Sequence, residues 1–260
     1  MIRISEGPAL DMGTEKISKL IINFALPAVL GMLAGAVYNI VDRVFVGHAV
    51  GSVGLAAIST SFPTMLLMFA CSLLISVGGA SRLSILRGAE KHRQAEQVLA
   101  HAVALLALVG FVGMMAAFAG TDTLLHYSGA SDAVLPTARG YLRIILLGGP
   151  FALMGGGINS FIRACGSPRY AMGTQILGAF SNVVLDAVFI LKMGMGVEGA
   201  ALGTVVAQSL ATAASFAYFF MKDAPLRIRP HFILRPQFSV VRRICAVGSA
   251  PFFVELSFVA

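Results

Sequence analysis

The chain has 260 residues, of which 57% are hydrophobic and only 12% charged, with a mean hydropathy of +0.85. So few charges cannot cover a soluble domain of this length, so the composition excludes a soluble enzyme and specifies an integral membrane protein. The formal net charge of +7 would suggest nucleic acid in a soluble chain. Here the basic residues fall in short connectors between apolar runs, where they set topology, and no nucleic-acid partner is expected.

Residues 1–18 mix both charge signs, and the apolar run after Lys19 outlasts the roughly 7–15-residue core of a secretory signal. Ala34-Gly35-Ala36 has the small residues of a cleavage site, but the run continues to Val41 and reads as the first span. A span needs about 20 mostly apolar residues at roughly 1.5 Å of rise each. The predicted spans are 20–41, 53–81, 97–119, 140–162, 170–191 and 199–221, and Ile244 begins a seventh. Glycine and proline inside these runs do not exclude helix in lipid. The short alternating stretches of a membrane β-barrel are absent. The expected fold class is therefore all-α, a polytopic transmembrane helix bundle with six transmembrane helices plus the start of a seventh.

Of the 19 lysines and arginines, all but Arg43, Arg139, Arg143 and Lys192 fall on the side of the N-terminal segment and of the connectors after the second, fourth and sixth spans. The positive-inside rule places that side in the cytoplasm. Cys71, Cys165 and Cys245 lie toward it without CxxC spacing, so neither a disulfide nor a cysteine metal site is expected. Residues 223–238, with Pro225, Pro230 and Pro236 among arginines, break the helical pattern and read as a cytoplasmic linker. The expected division is a six-helix lobe over 1–221, a linker over 222–243 and the opening of a second lobe over 244–260. Leu26-Pro27 and Ala250-Pro251, each early in a span, hint at a repeat of like orientation, related by an axis along the membrane normal.

Ionisable groups in the hydrocarbon region cost about 2.5–3.5 kcal/mol for a central aspartate on insertion scales, so each is a functional candidate. Three acids qualify: Asp42, Asp186 and Glu255. Asp42 is placed near the outer end of the first span, where a pairing with Arg43 at a helix end is the alternative to a functional role. Asn182 and Asp186, at i and i+4, share one helix face. They read as a cation or proton site or as a structural hydrogen bond to a neighbouring helix, since carboxylate, amide oxygen and hydroxyl suit a small hard cation and also join membrane helices. Thr204 on the sixth span and Tyr141 on the fourth reach a similar outer-leaflet height. Glu255 lies about 17 Å into the seventh span, where a helix-end hydrogen bond is its alternative. No HExxH, GxSxG or P-loop pattern appears and the histidines are scattered, so no enzyme is expected.

In order and spacing, several segments together resemble the multidrug and toxic compound extrusion transporters. They are Leu26-Pro27, Asn39-Ile40-Val41-Asp42-Arg43-Val44-Phe45-Val46-Gly47, Asn159-Ser160-Phe161-Ile162-Arg163-Ala164-Cys165-Gly166-Ser167-Pro168, the run from Asn182 to Ile190, and Gly199-Ala200-Ala201-Leu202-Gly203-Thr204. The resemblance covers nearly the whole chain and matches one lobe of a two-lobe transporter. It implies a secondary antiporter of the plasma membrane, in bacteria the inner membrane, with a cytoplasmic N-terminus. Such a transporter exports amphiphilic or cationic drugs and toxic compounds in exchange for protons or sodium. It implies no cofactor, the coupling ion being H+ or Na+, and membrane lipid as surroundings. It further implies a cation site of Asp42, Asn182, Asp186 and Thr204, helix bending at Pro27, further polar positions at Tyr141 and Asn159, and Glu255 as a second-lobe acid. A full member continues for roughly as long again, so the chain reads as truncated, and transport is expected to need a missing second lobe or a second copy. Two alternatives stand beside this reading: a lipid-linked precursor flippase of the same superfamily, and a non-transporting membrane partner.

Overall fold

The computed structural model describes residues 16–222, 224–233 and 237–258, and its regular elements are all helical. Arg3, Asp223, Arg235, Pro236 and Ala260, given places above in the topology, the linker and the seventh span, lie outside the described residues. Six helices are long and apolar enough to cross a membrane, which makes the chain a multi-pass membrane protein. They are α1 (Ile17–Val50), α2 (Ser52–Gly88), α3 (His92–Ala119), α5 (Leu135–Ala164), α6 (Pro168–Asp186) with a π-helical continuation over Ala187–Lys192, and α7 (Gly196–Tyr218). Short α4 (Thr121–Tyr127) joins α3 to α5, α8 (Pro230–Ile233) lies in the linker, and α9 (Phe238–Leu256) follows it.

Several boundaries differ from the expected ones, for local reasons. The first helix does not stop at Val41, because nothing before Gly51 breaks it. Gly51 then turns the chain in a single residue with φ +76°, a region glycine enters without steric cost. The last helix begins at Phe238 rather than Ile244, so Arg242 and Arg243 sit exposed on its first turns. The linker is not wholly irregular either: it contains α8, and Leu226 and Phe232 are buried. Glu96 of α3 accepts from the backbone N–H of Arg227 at 3.2 Å and from Arg229 Nε at 2.5 Å, and His101 Nε2 accepts from the Gln237 N–H at 2.9 Å. These contacts strap the linker to the end of α3.

Helix α5 is the centre of the bundle, packing on α2, α3 and α7, while α1 packs mainly on α6, and α6 on α7. The glycines of α5 make this possible. A methyl group at Gly149 would meet Met68 Cε at 2.5 Å, and methyls at Gly155 and Gly157 would overlap Thr212 and Leu106. They serve close packing, and the helices around α5 approach through them. At the other end, Leu83, Leu99, Phe161, Phe219, Leu226 and Ile244 bury a single core that ties α9 and the linker to the lobe. Outside this core, large apolar side chains such as Ile22, Met32, Ile40, Phe111 and Phe180 remain exposed, as lipid-facing surface requires. Two arginines that break the charge bias have local partners: Arg139 forms a two-point pair with Asp122 at 2.6 and 2.9 Å, and the Arg143 guanidinium stands 5.4 Å over the Phe118 ring.

Candidate functional site

Because α1 runs on to Val50, Asp42 is not at a helix end but about two turns inside one. Its side chain points into the bundle with 8% exposure, while Arg43, one residue and so roughly 100° further round the helix, is exposed. The interfacial Asp-Arg pair does not form: among the described residues, no ion pair joins Asp42 or Asp186 to a basic side chain.

Asp186 is fully buried, at 0% exposure, as the last residue of α6 before the backbone widens to π-helix. The carboxyl groups of Asp42 and Asp186 face each other closely enough to interact directly. The Asn182 amide lies between α6 and α7, donating through Nδ2 to Thr204 Oγ1 at 3.2 Å and, weakly, to Asp186 Oδ1 at 3.4 Å. Thus α1, α6 and α7 bring Asp42, Asn182, Asp186 and Thr204 into one connected group. Three of its buried oxygens, Asp42 Oδ1, Asn182 Oδ1 and Asp186 Oδ2, have no hydrogen-bond partner. Each such oxygen costs roughly 1–3 kcal/mol, and more when charged. Oxygen-only donors of this kind suit a proton or a small hard cation such as sodium.

Tyr141, 3% exposed, packs with Val46, Ile190 and Val197 beside the acids and stands within electrostatic reach of both. Asn159 lines a cavity together with Asn182 and Thr204, but its amide is hydrogen-bonded to groups other than the acids. Its Nδ2 donates to Ala171 O at 2.8 Å and Thr174 Oγ1 at 2.9 Å, and its Oδ1 accepts from Arg163 Nε at 3.0 Å and Nη2 at 2.6 Å. It therefore clamps α5 to the first turns of α6. Asn159→Ala is expected to lower the unfolding free energy by about 1–3 kcal/mol, seen as a lower thermal midpoint, with ion coupling of any transport unchanged. Pro27 is buried inside α1, where it removes one ladder hydrogen bond without ending the helix. Glu255, half-buried on α9, belongs to an element that packs on α2 and α3 and stands apart from the acid pair.

A cavity of about 270 Å³ opens between α1, α5, α6 and α7, lined in part by Tyr38, Gln175, Asn182, Thr204, Gln208 and Thr212. Among the described residues, no charged side chain lines it. The Gln175 Oε1, buried without a partner, is a further polar atom there. Tyr38, Gln175 and Gln208 were missed in the sequence, yet helical spacing marks them. Tyr38 precedes Asp42 by four residues, Gln208 follows Thr204 by four, and Gln175 precedes Asn182 by seven, so each continues a polar stripe.

A membrane bundle whose buried acids, amide and hydroxyl meet across three helices defines a class in which polar groups are held inside the lobe rather than at its surface. Residues 27–188 match the MatE family model, and the chain belongs to that family, the multidrug and toxic compound extrusion proteins. It is 26% identical over 238 residues to the multidrug export protein MepA of Staphylococcus aureus (strain bovine RF122 / ET3-1), covering 92% of this chain and 52% of MepA. Among solved structures, it is similar to the outward-facing conformation of a multidrug resistance MATE family transporter of the MOP superfamily. That match has TM-score 0.86 and 27% identity, over 92% of this chain and 53% of the other. Another solved chain, protein A, matches with TM-score 0.90 and 32% identity, over 95% of this chain and 55% of that one. The chain thus spans about half the length of the relatives it matches.

Proposed function

We propose that this chain forms the first lobe (1–221), the cytoplasmic linker (222–237, shortened from 243 because α9 begins at Phe238) and the opening of the second lobe (238–260) of an antiporter that exports amphiphilic or cationic compounds in exchange for protons or sodium. The observation that carries the reading is the facing pair of buried acids, Asp42 and Asp186, neither of which forms an ion pair with a basic side chain among the described residues. Two carboxylates in that position need a proton or cation between them. Asp42, Asn182, Asp186 and Thr204 hold the ion, with Tyr141 closing the site from α5. Release of the ion changes the repulsion between α1 and α6, and Pro27 lets α1 respond by bending.

Membership in a family with multidrug export relatives supports an export role. Alternating access moves one bundle against another, so the working transporter joins this lobe to a second lobe or a second copy. Among the described residues the cavity lining offers no basic side chain to meet a phosphate, which favours neutral or cationic compounds over phosphate-bearing lipid precursors. The charge bias fits a cytoplasmic N-terminus in the plasma membrane, the inner membrane of a bacterium. In vesicles containing the lobe together with its second half, an imposed proton or sodium gradient is expected to drive accumulation of a cationic dye. Accumulation indifferent to both gradients would overturn the proposal.

A further inference from the structure

The two oxygens of the Asp186 carboxyl have different surroundings. Oδ1 faces Asn182 Nδ2 at 3.4 Å and lies so close to Gly203 of α7 that a methyl group added there would overlap it. Oδ2 is buried with no partner. The overlapping atom is the tip of a short side chain. The backbone nitrogen of Asp186 would lie an ordinary 3.4 Å from the same methyl. Gly203→Ala therefore requires the carboxyl to move while the two helices can stay where they are.

We propose that Gly203 is a positioning residue for the cation site: by lacking a side chain it lets Oδ1 seat against α7, which leaves Oδ2 presented to the ion. The inference rests on the cation-coupled reading above. Consecutive residues of α7 divide the work, Thr204 accepting from the Asn182 amide at 3.2 Å while Gly203 admits the carboxyl. Asp186 is also faced by Asp42 from α1, with Tyr38 and Tyr141 within electrostatic reach and Arg43 acting on Asp42. The same interface supplies a control. Gly199, about one turn earlier on α7, is tight against Met195 and Phe189, whose Cβ and carbonyl carbon would lie 2.9 and 3.2 Å from an added methyl, and the Asp186 carboxyl is not among the three atoms nearest to it.

The test uses the 260-residue chain in detergent. Carbodiimide modification of Asp42 and Asp186 is resolved by mass spectrometry across pH and sodium concentration. In the unaltered chain, modification of Asp186 should respond to at least one of the two ions. In Gly203→Ala the proton or sodium concentration at the midpoint should shift at least about tenfold, one pH unit for protons, whereas Gly199→Ala should leave it in place. An unshifted Gly203→Ala, or an equal shift in Gly199→Ala, would overturn the positioning role while the cation site stands. Insensitivity of the unaltered chain to both ions would overturn the cation reading and this inference with it. If Gly203→Ala fails to fold, the double variant with Asp186→Ala removes the overlap and should restore folding. Failure of the double variant would place the clash elsewhere and overturn the role.

Discussion

Asp186→Asn is expected to abolish ion coupling while leaving the lobe folded. Asparagine has the shape of aspartate and still fits against Gly203, so packing between α6 and α7 survives. The substitution removes one of two facing charges and replaces an oxygen ligand with an amide, at a site where a charged hydrogen-bond partner contributes about 1.5–3 kcal/mol. Ion binding should weaken roughly 10–150-fold on that basis, and gradient-driven dye transport should fall to the background of vesicles without the protein. The thermal midpoint should stay level or rise, because a buried repulsion has been relieved. Asp42→Asn should behave alike. Efflux that remains coupled in either variant would remove that acid from the ion path.

Gly78→Val is the substitution expected to damage the structure most. Helices α2 and α9 cross with their backbones in reciprocal contact: a methyl at Gly78 would overlap the carbonyl of Ile244, and one at Gly248 would overlap the carbonyl of Leu74. Here the obstacle is backbone, which cannot swing aside as the Asp186 carboxyl can. Overpacking costs about 1–3 kcal/mol when side chains can adjust, and a larger loss is expected against main chain. Separation of α9 should be read as faster thiol modification of Cys245, which is half-buried beside Ile244. Unchanged Cys245 reactivity and an unchanged thermal midpoint would contradict the close crossing. Since α9 follows the segment strapped by Glu96 and His101, the two contacts together fix α9 against α2 and α3.

The sequence made visible what apolar surroundings make conspicuous. Six spans stood out by length and hydropathy, and Asp42, Asn182, Asp186 and Thr204 stood out because polar groups in such spans are rare and fall at helical spacing. Their joining into one group depends on how α1, α6 and α7 pack, which spacing alone leaves open. The helix-end alternative for Asp42 arises from ending the first helix at its last apolar residue, whereas the backbone continues to Val50, until a glycine allows it to turn. Gly203, Gly78 and Gly248 look like any glycine of a membrane helix until the neighbouring backbone or carboxyl is in place. Glu96 and His101 have partners more than 130 residues away, a distance no local pattern spans. The π-helical turn after Asp186 likewise has no marker in Ala187–Lys192, an ordinary apolar run ending in lysine.

The central claim is that Asp42 and Asp186 share a proton or a cation inside the lobe. Infrared difference spectroscopy of the chain tests it directly, by following the carboxyl stretching bands while pH is raised or sodium is added. The account predicts a buried carboxyl signal that responds to one of these ions and disappears in the Asp42→Asn, Asp186→Asn double variant. A spectrum that responds to neither ion, or a response that persists in the double variant, would contradict it.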